Sequence, residues 1–137
     1  MRLIDEKILL ITPKCELNGC GPKKFGWMVP DRWWLVDFEM ACSIHDAHYY
    51  WIKRNYKASG NSSELEKISA RFESVDMYDA LMCLLFDQRK YADEVFYHNL
   101  VLLNKEKSPS WIGMQARKPI IWTYYKAVRA FGHNFLK

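Results

Sequence analysis

The chain has 137 residues and a formal net charge of +4, and half of its residues are hydrophobic. This length suits a single domain over residues 1–137, and the hydrophobic fraction supports a packed core and excludes an intrinsically disordered chain. No apolar run approaches the roughly 18 residues of a transmembrane helix, and no dense Lys/Arg block indicates a nucleic-acid partner.

The amino-terminal region is predicted to be irregular. Residues 1–14 are typical of a short apolar strand or tail that ends at Pro13, and the acids Asp5 and Glu6 argue against a secretory signal peptide. Glycine and proline recur closely through residues 15–32, which is typical of a loop.

Two long helical regions are predicted next, from the recurrence of apolar residues every three or four positions. The first runs from about residue 33 to residue 55 and the second from about 64 to 104. The second is too long for one ordinary helix, so we predict a kink or a division near Ser74 or near Asp87.

The last predicted helix runs from about residue 120 to 131, and Gly132 is placed to end it. Residues 56–64 and 105–119 are rich in Gly, Ser, Asn or Pro and are predicted to be loops. The sequence therefore predicts an all-α domain with an irregular amino-terminal third.

A polar face on the first long helix is the most informative feature of the sequence. Cys42, His45, Asp46 and Tyr49 stand at positions i, i+3, i+4 and i+7, so they share one side of a helix. An imidazole, a carboxylate and a phenol are costly to bury unless they have partners or a chemical task. The alternatives are a solvated His-Asp pair and, with His48, a His-Asp-His metal site; a surface or structural role for His48 is favoured.

The loop upstream of this helix carries a second signal. Residues 18–22 read NGCGP, and glycines let backbone carbonyls converge where side chains would obstruct them. Calcium takes oxygen ligands from carbonyls and carboxylates. The loop and Asp46 together therefore suggest a calcium site, and an ordinary turn is the alternative.

In combination the two motifs resemble the phospholipase A2 superfamily. GCGP at residues 19–22 is followed by ACxxHDxxY at residues 41–49, and the Val-Pro-Asp between them, at residues 29–31, is similar to short phage and bacterial members. Weaker similarity extends to Ala-Asp-x-x-Phe at residues 92–96 and to residues 124–132.

The resemblance implies a catalytic set of His45, Asp93 and Tyr49. His45 matches the general base that takes a proton from the attacking water, and Tyr49 matches a tyrosine that supports the catalytic network. Asp93 is the first candidate for the second aspartate, which orients the histidine. Asp87 and Asp79 stay open as alternatives.

The resemblance also implies a Ca²⁺ cofactor. Asp46 matches its carboxylate ligand, and the backbone carbonyls of Gly19, Gly21 and Lys23 match the ligands from the loop. In the same family a disulfide ties the loop to the helix, and Cys20 and Cys42 match its two positions.

The implied fold is a phospholipase A2-like core of two long antiparallel helices, with an amino-terminal calcium-binding loop and a carboxyl-terminal helix. The implied activity is calcium-dependent cleavage of the sn-2 acyl ester of glycerophospholipids, at a phospholipid bilayer surface. A phage origin fits the resemblance, with a role in membrane passage or host lysis and a location in the virion or host cytoplasm. The alternative is a non-catalytic virion, tail or host-interaction protein that keeps the scaffold and contacts phage structural proteins.

Two aromatic surfaces accompany these predictions. Tryptophans and cations between residues 23 and 34 suggest either a membrane-facing rim or core packing. On the terminal helix, lysines and Arg129 stand beside Tyr124 and Tyr125, and core packing is favoured there over membrane contact.

Overall fold

A computed structural model describes residues 3–17, 32–33, 36–86, 88–108 and 110–132; for residues 32, 33, 36, 37, 85 and 86 it describes the backbone alone. Within these residues the regular secondary structure is helical apart from a short antiparallel ladder, in which β1 (Arg32–Trp33) pairs with β2 (Val36–Asp37). The predicted all-α class is confirmed. The described α-helices are α1 (Glu39–Lys57), α2 (Ser62–Ser74), α3 (Tyr78–Phe86), α4 (Arg89–Lys107) and α5 (Trp111–Phe131).

The second predicted helical region is divided at both of the positions that the sequence offered as alternatives. Asn61 begins α2 by accepting a hydrogen bond from the Glu64 backbone at 3.2 Å, as an N-cap residue does. Residues with positive φ, Asp76 (56°) and Gln88 (49°), then separate α2 from α3 and α3 from α4.

Two predicted boundaries are wrong. The first helix begins at Glu39 rather than near residue 33, because residues 32–33 pair with residues 36–37 in the small ladder. The predicted loop over residues 105–119 is largely helical: Ser110 caps α5 by accepting from the Gly113 backbone at 3.1 Å, and Pro119 lies inside that helix. Gly132 does cap the end of α5, as predicted.

Helix α4 packs against both α1 and α5 and runs antiparallel to each of them. His45 of α1 stacks on Phe96 of α4, whereas His48, one turn later, meets Tyr91, so the two helices run in opposite directions. The order of contacts is likewise reversed between α4 and α5. This arrangement brings the amino-terminal half of α1 against the amino-terminal half of α4.

The buried apolar side chains form one cluster between the helices. Phe38, Ile44 and Ile52 enter it from α1 and the residue before it, and Phe96 and Leu100 enter it from α4. None of the described helices is long and apolar enough to cross a membrane.

The amino-terminal segment, residues 3–17, is docked on these helices. It folds into 3-10 helices at Glu6–Ile11 and Lys14–Glu16, so the predicted strand is wrong. Asn99 of α4 is fully buried and holds the segment from both sides: its Oδ1 accepts from the Ile4 backbone N–H at 2.8 Å, and its Nδ2 donates to the Ile4 carbonyl at 3.0 Å.

Replacing Asn99 by Leu is expected to lower the free energy of unfolding by about 1–3 kcal/mol, because both backbone groups of Ile4 lose their hydrogen-bond partner at a part-buried contact. Urea unfolding followed by circular dichroism measures this change. His98→Ala, on the exposed side of the same turn, is the matched control and should stay within about 0.5 kcal/mol of wild type. Equal stability of Asn99→Leu and wild type would contradict the anchoring role.

Candidate active site

The candidate site lies where α1 faces α4. His45 of α1 and Asp93 of α4 are 48 positions apart in sequence, and His45 Nε2 lies 2.7 Å from Asp93 Oδ1. A carboxylate accepts hydrogen bonds, so in the neutral imidazole Nε2 carries the proton and Nδ1 holds the lone pair that a base needs. The Asp93 side chain is fully buried, whereas that of His45 is 11% exposed and so can be reached by solvent.

Two aromatic rings fix the orientation of the His45 imidazole. Phe96 stacks on it, with ring centroids 4.5 Å apart and planes at 28°, and the Tyr49 ring lies at the same distance but tilted by 48°. Among the described residues, no hydrogen bond uses His45 Nδ1. The imidazole is therefore held by its Nε2 edge and its faces, which leaves Nδ1 available.

Tyr49 shares the same carboxylate oxygen. Its hydroxyl donates to Asp93 Oδ1 at 2.6 Å, from one turn beyond His45 on the same side of α1. Burial raises the pKa of the Tyr49 phenol, and the negative charge of Asp93 and the hydrogen bond to it raise that pKa further. Tyr49 therefore stays protonated and keeps donating at every pH at which the protein would work.

Two arginines complete the surroundings of Asp93, and no sequence motif marks either of them for this role. Arg129 near the end of α5 donates from Nη1 to Asp93 Oδ2 at 2.9 Å. Arg89, one turn before Asp93 on α4, lies 3.9 Å from the same oxygen and donates to the carbonyls of Val128 and Arg129 at 3.0 Å. The buried carboxylate thus has hydrogen-bond donors on both oxygens and a net positive charge beside it.

Gly132 closes the site at the end of α5. A methyl group at this position would clash with the Tyr49 hydroxyl and lie 2.9 Å from Arg89 Nη1. The backbone of Gly132 is right-handed helical, so the glycine is needed for space rather than for conformational freedom.

The candidates for the second aspartate occupy different environments. Asp93 contacts both His45 and Tyr49, as described above. Asp79, on α3, is exposed to solvent, and Asp87 lies outside the described residues. Of the two candidates that the structure describes, Asp93 is the one that contacts His45.

The predicted calcium ligands are described only in part. Asp46 follows His45 on α1 and is half-buried, whereas Gly19, Gly21 and Lys23 lie outside the described residues. In the part of the chain that the structure describes, no three His, Cys, Asp or Glu side chains converge as a metal site. The predicted calcium site needs only one carboxylate ligand, because backbone carbonyls can supply the other ligands.

The cysteines bear on the same region. Cys42, one turn before Asp46 on α1, is disulfide-bonded. Cys15 and Cys83 carry thiols. The predicted partner Cys20 lies outside the described residues, so the Cys20–Cys42 pairing stays a prediction. The tryptophans and cations predicted at the rim of the site, between residues 23 and 34, are not described at the level of side chains either.

A second His-Asp-Tyr group lies beside the first and holds the amino-terminal segment. His48, one turn after His45, is fully buried, and its Nε2 lies 3.0 Å from Asp5 Oδ2. Tyr91 of α4 donates to the same oxygen. His48 is therefore a structural residue that contacts the segment, and the predicted alternative of a surface histidine is wrong.

Asp5 makes this contact sensitive to acid. Burial acts to raise the pKa of its carboxyl, but the hydrogen bond and charge of His48 and the hydrogen bond from Tyr91 outweigh burial and lower it from its ordinary value of 3.8. A carboxyl whose pKa is depressed by folding contributes stability that is present above its unfolded pKa and is lost as pH falls through the folded value.

Wild type is therefore expected to be more stable than Asp5→Asn at pH 6, and the difference should shrink as the pH falls below about 4. Urea unfolding of both proteins at a series of pH values measures the difference. A difference that stays constant down to about pH 2 would contradict the pairing of Asp5 with His48.

No protein-family model, no curated protein and no solved structure matches the chain. Membership of the phospholipase A2 superfamily therefore stays a prediction from the motifs.

Proposed function

We propose that the chain is a calcium-dependent phospholipase A2-like hydrolase that cleaves the sn-2 acyl ester of glycerophospholipids. The observation that carries the proposal is the buried network in which Asp93 accepts hydrogen bonds from His45 at 2.7 Å and from Tyr49 at 2.6 Å. A histidine that acts as a general base needs a partner that fixes its tautomer and offsets the charge it acquires, and Asp93 can do both. The motif resemblance supplies the reaction class.

In the proposed reaction His45 Nδ1 takes a proton from a water molecule while the water oxygen attacks the ester carbonyl carbon. The tetrahedral intermediate then collapses, the bond to the glycerol oxygen breaks, and the proton on His45 passes to that oxygen. The products are a fatty acid and a lysophospholipid, and no covalent bond to the protein forms. Asp93 offsets the positive charge on His45 between the two proton transfers.

Asp46 and the carbonyls of Gly19, Gly21 and Lys23 are the groups that would hold calcium. Asp46 fits this role because a carboxylate is a hard oxygen ligand and because it lies next to His45 on α1. When bound, calcium supplies positive charge for the lipid phosphate and for the oxyanion of the intermediate. Tyr49 and Arg129 act indirectly, because they hold Asp93 in place.

The test is fatty-acid release from vesicles of phosphatidylcholine and phosphatidylglycerol in equal amounts, with calcium and with a chelator. Wild type should release fatty acid in calcium alone, and His45→Gln should be slower by about 10²–10⁴-fold, which is the range of a lost general base. Circular dichroism and urea unfolding of both proteins check that they are equally folded.

Folded wild-type protein that releases no fatty acid at any calcium level would overturn the proposal. That result would favour the alternative of a virion, tail or host-interaction protein that retains the helical scaffold. Release that persists in the chelator would leave a hydrolase but exclude the role given to Asp46.

A further inference from the structure

Aromatic rings gather on the surface formed by α4 and α5, where exposed Trp122 lies beside the half-buried rings of Tyr97 and Tyr125. Tyr97 of α4 lies 5.8 Å from Trp122 and 5.3 Å from Tyr125 of α5, measured between ring centroids, and Trp122 and Tyr125 are 5.5 Å apart. We call these three residues the aromatic cluster. Trp122 is 47% exposed, so the cluster presents this ring to solvent, while Tyr97 packs against the core.

Further apolar side chains are exposed on the same two helices. Trp111 is 70% exposed and Ile112 is 76% exposed, and Val101 of α4 is also exposed. A large ring that is left in water has lost the stabilisation of burial, and a contiguous group of such side chains marks a surface that another phase or molecule covers.

Positive charge accompanies these rings. The ammonium group of Lys126 lies 4.9 Å from the centre of the Trp122 ring. The sequence of α5 contains no Asp or Glu, and its two lysines, Lys118 and Lys126, are exposed. On the neighbouring part of α4, Lys105 is exposed, and Glu94 is a half-buried acid one turn before the cluster.

A groove of about 460 Å³ lies between α4 and α5 within this surface. Val101, Met114 and Ile121 give it apolar walls, and Lys105 and Lys118 stand one on each helix at its sides. Such a groove suits a group that is anionic at one end and apolar at the other, since lysine can bury its stem along apolar surface and keep its charge in water.

The spacing of residues along α5 connects this surface to the candidate active site. Trp111, Lys118, Trp122 and Arg129 are separated by seven, four and seven residues, which places them along one side of the helix. Arg129, at the end of that row, donates to Asp93. A flat partner that lay along the row would therefore reach the active-site end of α5.

We propose that this α4–α5 surface binds the headgroup layer of an anionic phospholipid bilayer, with Trp111 and Trp122 inserted at headgroup level and Lys105 and Lys118 against lipid phosphates. Tryptophan and tyrosine favour that layer because one part of the ring system is apolar and another is polar. The absence of acids from the sequence of α5 complements a negative surface, and each lysine near such a surface adds attraction. The proposal rests on the proposed function in its choice of a lipid partner.

Binding is tested in the His45→Gln background, so that hydrolysis cannot alter the vesicles. Co-sedimentation is measured with vesicles of phosphatidylcholine alone and with vesicles containing an equal share of phosphatidylglycerol, in chelator and in calcium. The protein should prefer the anionic vesicles. The pair Trp111→Ala and Trp122→Ala should weaken binding about tenfold or more, and the pair Lys105→Gln and Lys118→Gln should remove the preference for anionic lipid.

The control pair is Tyr56→Ala and Tyr78→Ala, two exposed tyrosines on α1 and α3 with exposure similar to that of Trp122. Their vesicle binding should equal that of the parent protein. Unfolding midpoints of all variants show whether each is folded, and single variants replace any pair that is not.

Equal binding by parent, Trp and Lys variants would overturn the proposal. So would a loss of self-association, measured by sedimentation velocity, as the sole effect of the Trp pair, since that result would assign the surface to a second copy of the chain. Anionic binding without fatty-acid release by wild type would uphold this surface and overturn the proposed function. Fatty-acid release by wild type, with vesicle binding unchanged in the variants, would uphold the proposed function and overturn the role of this surface.

Discussion

Replacement of Asp93 by Asn is expected to lower the rate of fatty-acid release by about 10²–10⁴-fold. The asparagine amide can donate to His45 Nε2, and the proton would then move to Nδ1, where the base must be free. If instead the amide oxygen accepts from Nε2, the negative charge that offsets the protonated imidazole is still missing. Initial rates on mixed vesicles in calcium, at several pH values, measure the effect.

Tyr49→Phe is the matched variant for this prediction. It removes one hydrogen bond to Asp93 Oδ1 and leaves the contact of Asp93 with His45 in place, so the loss should be smaller, about tenfold. A full rate in Asp93→Asn, with the variant folded, would show that the carboxylate has no part in the reaction.

The second large effect is on stability. Arg129→Leu is expected to lower the free energy of unfolding by about 2–4 kcal/mol, because it removes the 2.9 Å partner of a carboxylate that is fully buried. Arg89 remains 3.9 Å from the same oxygen, which keeps the loss below that of an isolated buried charge. Urea unfolding near neutral pH measures the difference.

A double-mutant cycle separates the ion pair from general packing. In the Asp93→Asn background Arg129→Leu should cost much less, with a coupling of about 1–3 kcal/mol between the two positions. Equal cost in both backgrounds would mean that Arg129 stabilises the end of α5 without help from Asp93.

The sequence predicts His45 and Tyr49, the two α1 residues that contact Asp93, whereas the calcium role of Asp46 stays a prediction. His45, Asp46 and Tyr49 are spaced to share a helix side, and helical periodicity is a local property that the sequence carries directly. Asp93 is predicted from the family resemblance alone. It lies 48 positions from His45 in the sequence, and the antiparallel packing of α1 on α4 brings the two residues together. No local sequence pattern predicts the contact between Asp93 and His45.

The arginines are a clearer case of a site that the sequence does not predict. Arg129 and Arg89 stand among several basic residues on α5 and α4, and nothing nearby distinguishes them. Their role depends on where α5 ends relative to α4, and Gly132 permits that approach by leaving room for the Tyr49 hydroxyl. The sequence predicts Gly132 as a helix cap, but its second role, which is to leave space for Tyr49, depends on tertiary packing.

The misplaced start of α5 has a local cause that the sequence does contain. Ser110 directly follows Pro109, and its side chain accepts a hydrogen bond from the backbone N–H of Gly113, three residues later. Ser110 is therefore the N-cap residue of α5. The proline and glycine content of residues 105–119 outweighed this signal in the prediction. The tertiary packing of Asn104 on Met114, by a 2.9 Å hydrogen bond, supports the helix there.

The amino-terminal segment shows how long-range contacts override weak local preference. Its few apolar residues fit a strand as well as a turn, yet Ile8 and Ile11 are buried in a 3-10 helix. The contacts of Asp5 with His48 and of Ile4 with Asn99 fix that conformation from α1 and α4. Neither partner can be inferred from the segment itself.

The most direct measurement is to identify which acyl chain the protein releases from phosphatidylglycerol that carries different chains at sn-1 and sn-2. Mass spectrometry of the products, with wild type and His45→Gln in calcium, gives the position of cleavage and its dependence on the base. We predict the sn-2 fatty acid and the sn-1 lysophospholipid from wild type, at a rate that His45→Gln lowers by about 10²–10⁴-fold. Release of the sn-1 chain, or the same release from both proteins, would contradict the assignment of His45, Asp93 and Tyr49.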